Sequence, residues 1–207
     1  MPDPSGPSTL AIEPAPAPPA AGAVRAALAG RSVVLVGMMG AGKSSIGRRL
    51  AVVLDIPFVD ADTEIEKAAG MSIPDMFDSH GEAYFRAGEA RVIARLLEGG
   101  PQVLATGGGA FMNPQTRALV RERAISVWLK ADLDVLLKRV RRRGDRPLLR
   151  NGDPAETLER LIAERYPTYA EADVTVVSRD EPHETMIAEI IAVLADRLAV
   201  SGGGVTS

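Results

Sequence analysis

Residues 37–44, Gly-Met-Met-Gly-Ala-Gly-Lys-Ser, have the types and spacing to hold a chain of phosphates. Glycines at 37, 40 and 42 let backbone N–H groups converge on phosphate oxygens, Lys43 reaches the β and γ phosphates, and the Ser44 hydroxyl is a ligand for Mg²⁺. The candidate nucleotide contacts are therefore Gly40, Ala41, Gly42, Lys43, Ser44 and Ser45, and the nucleotide is ATP or GTP. An apolar run, SVVLV, precedes the loop and a helical run follows it, so the helix adds its positive dipole end to the anion site. Switches, motors and kinases share such a loop, and the residues beyond it must decide the reaction.

Asp60 and Asp62 are two positions apart in FVDADTEIE, and an extended backbone sends alternate side chains to one side. One could hold Mg²⁺ through water while the other orients an acceptor hydroxyl and takes its proton; equally, Asp62 could only cap a helix starting near Thr63. Arg86 lies between Glu82 and Glu89 at helical spacing, which by itself reads as a surface ion-pair ladder. Gly107, Gly108 and Gly109 follow a strand-like run, where absent side chains admit either a ligand or a tight turn. Arg146, in GDRPLL, could swing to a transferred phosphate on a flap that excludes water. Arg165, in ERYPTY, is by itself an ordinary exposed helix residue beside Glu164.

Composition removes other chemistries. The 207 residues include no cysteine and two histidines, which leaves little material for a thiol nucleophile or a structural zinc site. Net charge is −3, so the whole-protein field favours neither nucleic acid nor an anionic membrane. Positive charge is nevertheless concentrated: Lys138, Arg139, Arg141, Arg142, Arg143, Arg146 and Arg150 face only Asp145 in their stretch, without interleaved aromatics. That strip suits capture of a compact anion better than capture of a strand of RNA. No apolar run is long enough to span a bilayer, no secretory or transit pattern opens the chain, and the expected location is the cytoplasm.

These residues need a scaffold. Residues 32–36, 57–60, 102–106, 125–129 and 174–177 read as five strands of nearly continuous apolar content, hence buried on both faces. Between them, residues 43–54, 81–97, 113–122, 132–143, 154–172 and 182–200 read as helices, which makes repeated βαβ units and a parallel sheet covered by helices. Ligands then bind at the carboxyl ends of the strands. Residues 1–26 read as a disordered Pro/Ala-rich arm, its first 23 positions holding seven of the fifteen prolines and no basic residue, and residues 201–207 as a flexible tail. Gly88, inside an expected helix, costs about 1 kcal/mol relative to alanine.

Taken in order, GMMGAGKSSIGRRLA, FVDADTEIE, FRAGE, TGGGA, RPLL and ERYPTY resemble the shikimate kinase family, across about residues 30 to 198. The resemblance implies an α/β, three-layer P-loop kinase fold with a five-stranded parallel sheet ordered 2-3-1-4-5. It places the kinase domain at 27–200, with a helical acceptor-binding insertion at about 61–90 and a lid at about 140–152. It implies transfer of the ATP γ-phosphoryl group to the 3-hydroxyl of shikimate, with Mg²⁺, by a monomer. Lys43, Asp62 and Arg146 would be catalytic, and Ser44 and Asp60 would hold the metal. Asp62, Phe77, Phe85, Arg86, Gly107, Gly108, Gly109 and Arg165 would bind shikimate, the two arginines gripping its carboxylate. Arg139, Arg146 and Pro182 would join the phosphate loop in contacting ATP. The alternatives are another small-molecule kinase of this fold, such as a gluconate kinase, or a silent binding module of the same family.

Overall fold

Every residue of β1, Ser32–Val36, is buried, as a β-branched run must be when helices cover both faces of its sheet. The structure, a computed structural model, describes residues 19–141 and 153–202. Within them β2 (Phe58–Asp60), β3 (Val103–Ala105), β4 (Ala124–Lys130) and β5 (Val174–Val177) complete the sheet. Its order is β2-β3-β1-β4-β5 with all neighbours parallel, as the resemblance implies. Leu35 and Asp60 both pair with Ala105, and Val36 pairs with Trp128. Strands β1, β2 and β3 therefore end level with one another, while β4 and β5 run on to the Lys130–Val177 pair, and the segments leaving all five meet at one edge.

Helices α2 (Lys43–Leu54), α5 (Pro114–Arg123), α6 (Leu133–Arg141), α7 (Pro154–Tyr169) and α8 (His183–Gly202) lie close to their expected spans. Asn113 and Asp153 start α5 and α7 by accepting backbone N–H groups, each with proline in the first turn where a missing N–H costs nothing. After β2 the chain forms α3 (Ala61–Ala69) and α4 (Ile73–Glu98), the helical insertion. The sequence reading begins α4 at Gly81, but the helix starts eight residues earlier at Ile73, capped by Ser72, whose hydroxyl accepts from the Asp75 N–H. Gly81 instead breaks the helix at φ 79° and ψ 172°. Gly88 remains helical, and no atom within 4 Å of the β-carbon it lacks recovers its cost.

The arm is corrected at its inner end. Residues 19–26, expected to be disordered, belong to helix α1 (Pro19–Leu28), which packs on α8 and α2. The prolines of the segment hide an alanine-rich stretch of high helix propensity, entered through Pro19 at a position that tolerates proline. Ala21, Val24 and Leu28, on one helical face, are buried in the main core, and burying a leucine or valine of this kind contributes about 1.5–3 kcal/mol. Residues 201–202, expected in the flexible tail, instead end α8, and residues 1–18, residues 142–152 of the expected lid and residues 203–207 lie outside the described residues.

Candidate active site

The phosphate loop closes through backbone shapes that side chains oppose. Gly42 caps α2 at φ 97°, and Gly37 and Gly40 have φ of 138° and 83°. Lys43, the first residue of α2, is nearly buried and donates from Nζ to the carbonyls of Gly37 (2.8 Å) and Met38 (3.0 Å). Its ammonium therefore lies folded over the loop. Ser44 Oγ donates to Asp60 Oδ2 at 2.6 Å, and Asp60 Oδ1 accepts the Asp62 N–H at 3.1 Å. Asp60, not Asp62, is thus the cap of α3, which starts two residues sooner than the sequence suggests, and Asp62 in its first turn lines a cavity beside the loop.

That cavity, about 310 Å³, is lined by Met39 through Ile46, Asp60, Asp62, Thr106, Gly107 and Gly108 at one end. Its other end is lined by Arg139, Ser178, Arg179, Asp180, Glu181, His183 and Met186. Arg139 joins the two: its guanidinium donates to Ser178 Oγ (2.8 Å), the Arg179 carbonyl (2.6 Å) and the Gly40 carbonyl (3.2 Å), while Ser178 Oγ donates to the Ala41 carbonyl (2.9 Å). Partial burial lowers the Arg139 pKa from its ordinary value, although Asp180 opposes the shift. Pro182 does not line the cavity, whereas its neighbours Glu181 and His183 do. Arg146 lies outside the described residues.

A smaller cavity of about 90 Å³ opens beside the first and shares Met39, Asp62, Gly107 and Gly108 with it. Ile73, Phe77, Phe85, Arg86, Glu89, Gly109 and Arg165 complete its lining, so the insertion and α7 face one another across the glycines. Phe77 and Phe85 form an apolar wall with ring centroids 4.8 Å apart. The ladder expected from spacing exists: Arg86 bonds Glu82 Oε1 through Nη2 (3.1 Å) and Glu89 Oε2 through Nη1 (2.7 Å). It is not, however, a surface ladder, because Glu89 is buried and the β-carbon that Gly109 lacks would collide with the Arg86 guanidinium.

Burial pushes the Glu89 carboxyl above its ordinary range; Arg86 opposes the shift and the nearby Asp62 reinforces it. The Arg86 guanidinium moves up as well: burial works against its charge, and the bonds to Glu89 and Glu82 outweigh that cost. The pair thus favours the cation at Arg86 while desolvation wins at the carboxylate. Glu89 Oε1 has no hydrogen-bond partner and lies 2.6 Å from where a Gly107 β-carbon would stand.

Arg165 is buried, not exposed as its neighbourhood in sequence suggests. It donates from Nη1 to the Gly108 carbonyl at 3.1 Å, its Nε has no partner, and it forms no ion pair with a described residue. This desolvated guanidinium lines the smaller cavity, where its charge also draws the Glu89 carboxyl back toward its ionised form. Glu89, Ser178 and His183 line these cavities, and Tyr169 bonds the Gly108 carbonyl that borders both, yet motif reading misses all four. Spacing gives Glu89 only as a rung of a ladder, and the others sit at element ends whose partners are remote in sequence.

The sequence pattern of the family described as "Shikimate kinase" matches residues 39–195. A shikimate kinase of Rhodopseudomonas palustris is 64% identical over 176 residues, covering 85% of this chain and 87% of that protein. One from Nitrobacter winogradskyi is 66% identical, with 85% and 82% covered. The solved shikimate kinase of Acinetobacter baumannii in complex with shikimate superposes with a TM-score of 0.78 at 35% identity, covering 87% of this chain and 99% of that one. With that agreement, and with a phosphate-loop cavity that shares a wall with a smaller one lined by two arginines, the chain belongs to the shikimate kinase family of ATP-dependent phosphotransferases.

Proposed function

We propose that the protein transfers the γ-phosphoryl group of ATP to the 3-hydroxyl of shikimate, giving shikimate 3-phosphate and ADP. The observation that carries this reading is the shared wall. Asp62, Gly107 and Gly108 border both cavities, so a phosphate held by the loop and an acceptor held by Arg86 and Arg165 would meet at the Asp62 carboxylate. In this reading Asp62 orients the acceptor hydroxyl and takes its proton as the new P–O bond forms, while the bond to the ADP oxygen breaks. Arg165 and Arg86 grip the acceptor's carboxylate, Phe77 and Phe85 wall its ring, and Gly107 to Gly109 let its polar edge approach the backbone. Lys43 turns from the loop carbonyls to the phosphates, and Arg139 holds the nucleotide loop to the phosphate loop.

The donor set fits Mg²⁺. Ser44 Oγ and Asp60 Oδ2 are two hard oxygens in contact at the loop, and a metal with so few protein ligands takes the rest from phosphate and water. Bound there, Mg²⁺ neutralises charge on the β and γ phosphates. In this reading the protein works as a monomer in the cytoplasm, where ATP is supplied. No described helix is long and apolar enough to cross a membrane. Phosphorus NMR of the product made from ATP and shikimate tests the reading: phosphate is expected on the oxygen at carbon 3. Phosphate at another oxygen, or product from gluconate in place of shikimate, would contradict it.

A further inference from the structure

We infer that Tyr169 is a positioning residue for the acceptor, its hydroxyl holding the Gly108 carbonyl so that Arg165 can engage a carboxylate without releasing the wall of the pocket. This rests on the proposed acceptor. Tyr169 ends α7 four residues after Arg165, so one helical face presents both side chains, and both donate to the same oxygen, Gly108 O. A carbonyl oxygen has two lone pairs, and here the two donors occupy them.

The peptide they hold is the partition of the site. Gly108 borders both cavities, and a β-carbon built on it would lie 3.5 Å from Arg165 Nη1, 3.5 Å from Met39 N and 3.7 Å from Gly37 O. It lies between the acceptor arginine and the phosphate loop, close enough that a β-carbon there would be in ordinary van der Waals contact with both. The bond from Arg165 is lent, because the same guanidinium must turn part of its donor set toward an incoming anion. The bond from Tyr169 is permanent: the ring is fully buried and braced by Trp128 and Tyr166, with centroids 6.0 and 6.2 Å away. Burial also pushes the phenol up to about 12, so it remains a donor at any working pH.

Tyr166 supplies a matched control. It belongs to the same aromatic cluster and also donates its hydroxyl to a backbone carbonyl, but that of Ala131, which unlike Gly108 borders neither cavity. Steady-state kinetics with ATP and shikimate, and calorimetry with ADP alone, should be measured for wild type, Tyr169→Phe and Tyr166→Phe. For Tyr169→Phe, KM for shikimate should rise by about threefold to tenfold, the equivalent of one hydrogen bond, with kcat within about twofold and ADP affinity unchanged. Tyr166→Phe should leave KM for shikimate unchanged.

An unchanged KM in Tyr169→Phe, or an equal rise in Tyr166→Phe, overturns the inference while leaving the substrate assignment standing. A wild type that does not turn over shikimate overturns that assignment and the inference with it. Should Tyr169→Phe fail to fold, NMR of the wild type decides: the Tyr169 hydroxyl proton should stay bonded and slowly exchanging with shikimate bound, and its loss on binding overturns the inference.

Discussion

Glu89 sits between two demands, with one oxygen bonded to the Arg86 guanidinium and the other buried without a partner. Because burial raises its pKa, the folded protein holds that proton more tightly than the unfolded chain does. The associated stabilisation is complete below the ordinary value of 4.5 and is lost as pH rises through the folded value. Glu89→Gln should therefore melt at or above wild type at pH 8 and lose this advantage near pH 4, which a pair of melting series checks. The same variant should raise KM for shikimate by about fivefold, because Arg86 loses a charged partner. Asp62→Asn should lower kcat by about 10² to 10⁴ with ADP affinity within about twofold, measured by turnover and calorimetry. At this scale the motifs expose Lys43, Ser44, Asp60, Asp62 and Arg86, since each lies within a few residues of the feature that explains it. Tyr169 escapes because its partner, the Gly108 carbonyl, is 61 positions away and carries no side chain to read.

Elements show the same division. The strands are legible from apolar runs and α2 from the loop that opens it, whereas α1 is concealed by prolines whose effect stops at Pro19. Leu28 is 1% exposed, so Leu28→Ala should cost about 2–4 kcal/mol of unfolding free energy in urea titration, which a disordered arm would not register. Asp173, just before β5, ties three elements: it accepts from the Ser126 N–H (2.9 Å) and hydroxyl (2.7 Å) of β4 and from Arg197 of α8 (3.1 Å). Half burial works against its charge, yet these bonds hold its carboxyl below the ordinary value of 3.8. A depressed acid stabilises the fold above that ordinary value and ceases to do so as pH falls through its own lower one. Asp173→Asn should accordingly lose about 1–2 kcal/mol near neutral pH, and the difference from wild type should shrink in acid below pH 3.8. Sequence periodicity cannot show this tie, because burial of Asp173 depends on β4 and α8 arriving from either side.

For the whole molecule, the parallel order β2-β3-β1-β4-β5 is what brings a loop at 37–44, carboxylates at 60 and 62 and glycines at 107–109 to one edge. The insertion of α3 and α4 then supplies Phe77, Phe85 and Arg86, and α7 returns Arg165 to the far side of the same small cavity. Joint placement gathers individually ambiguous residues around two cavities with a common wall, which the proposed reaction uses for phosphate and acceptor. The direct test is ADP release from Mg-ATP with no acceptor and with shikimate, quinate, gluconate, AMP or single-stranded RNA. The account predicts rapid release with shikimate, at least about a hundredfold over the acceptor-free rate, and near-background release with the others. Background release with shikimate, or equal stimulation by gluconate, would contradict it.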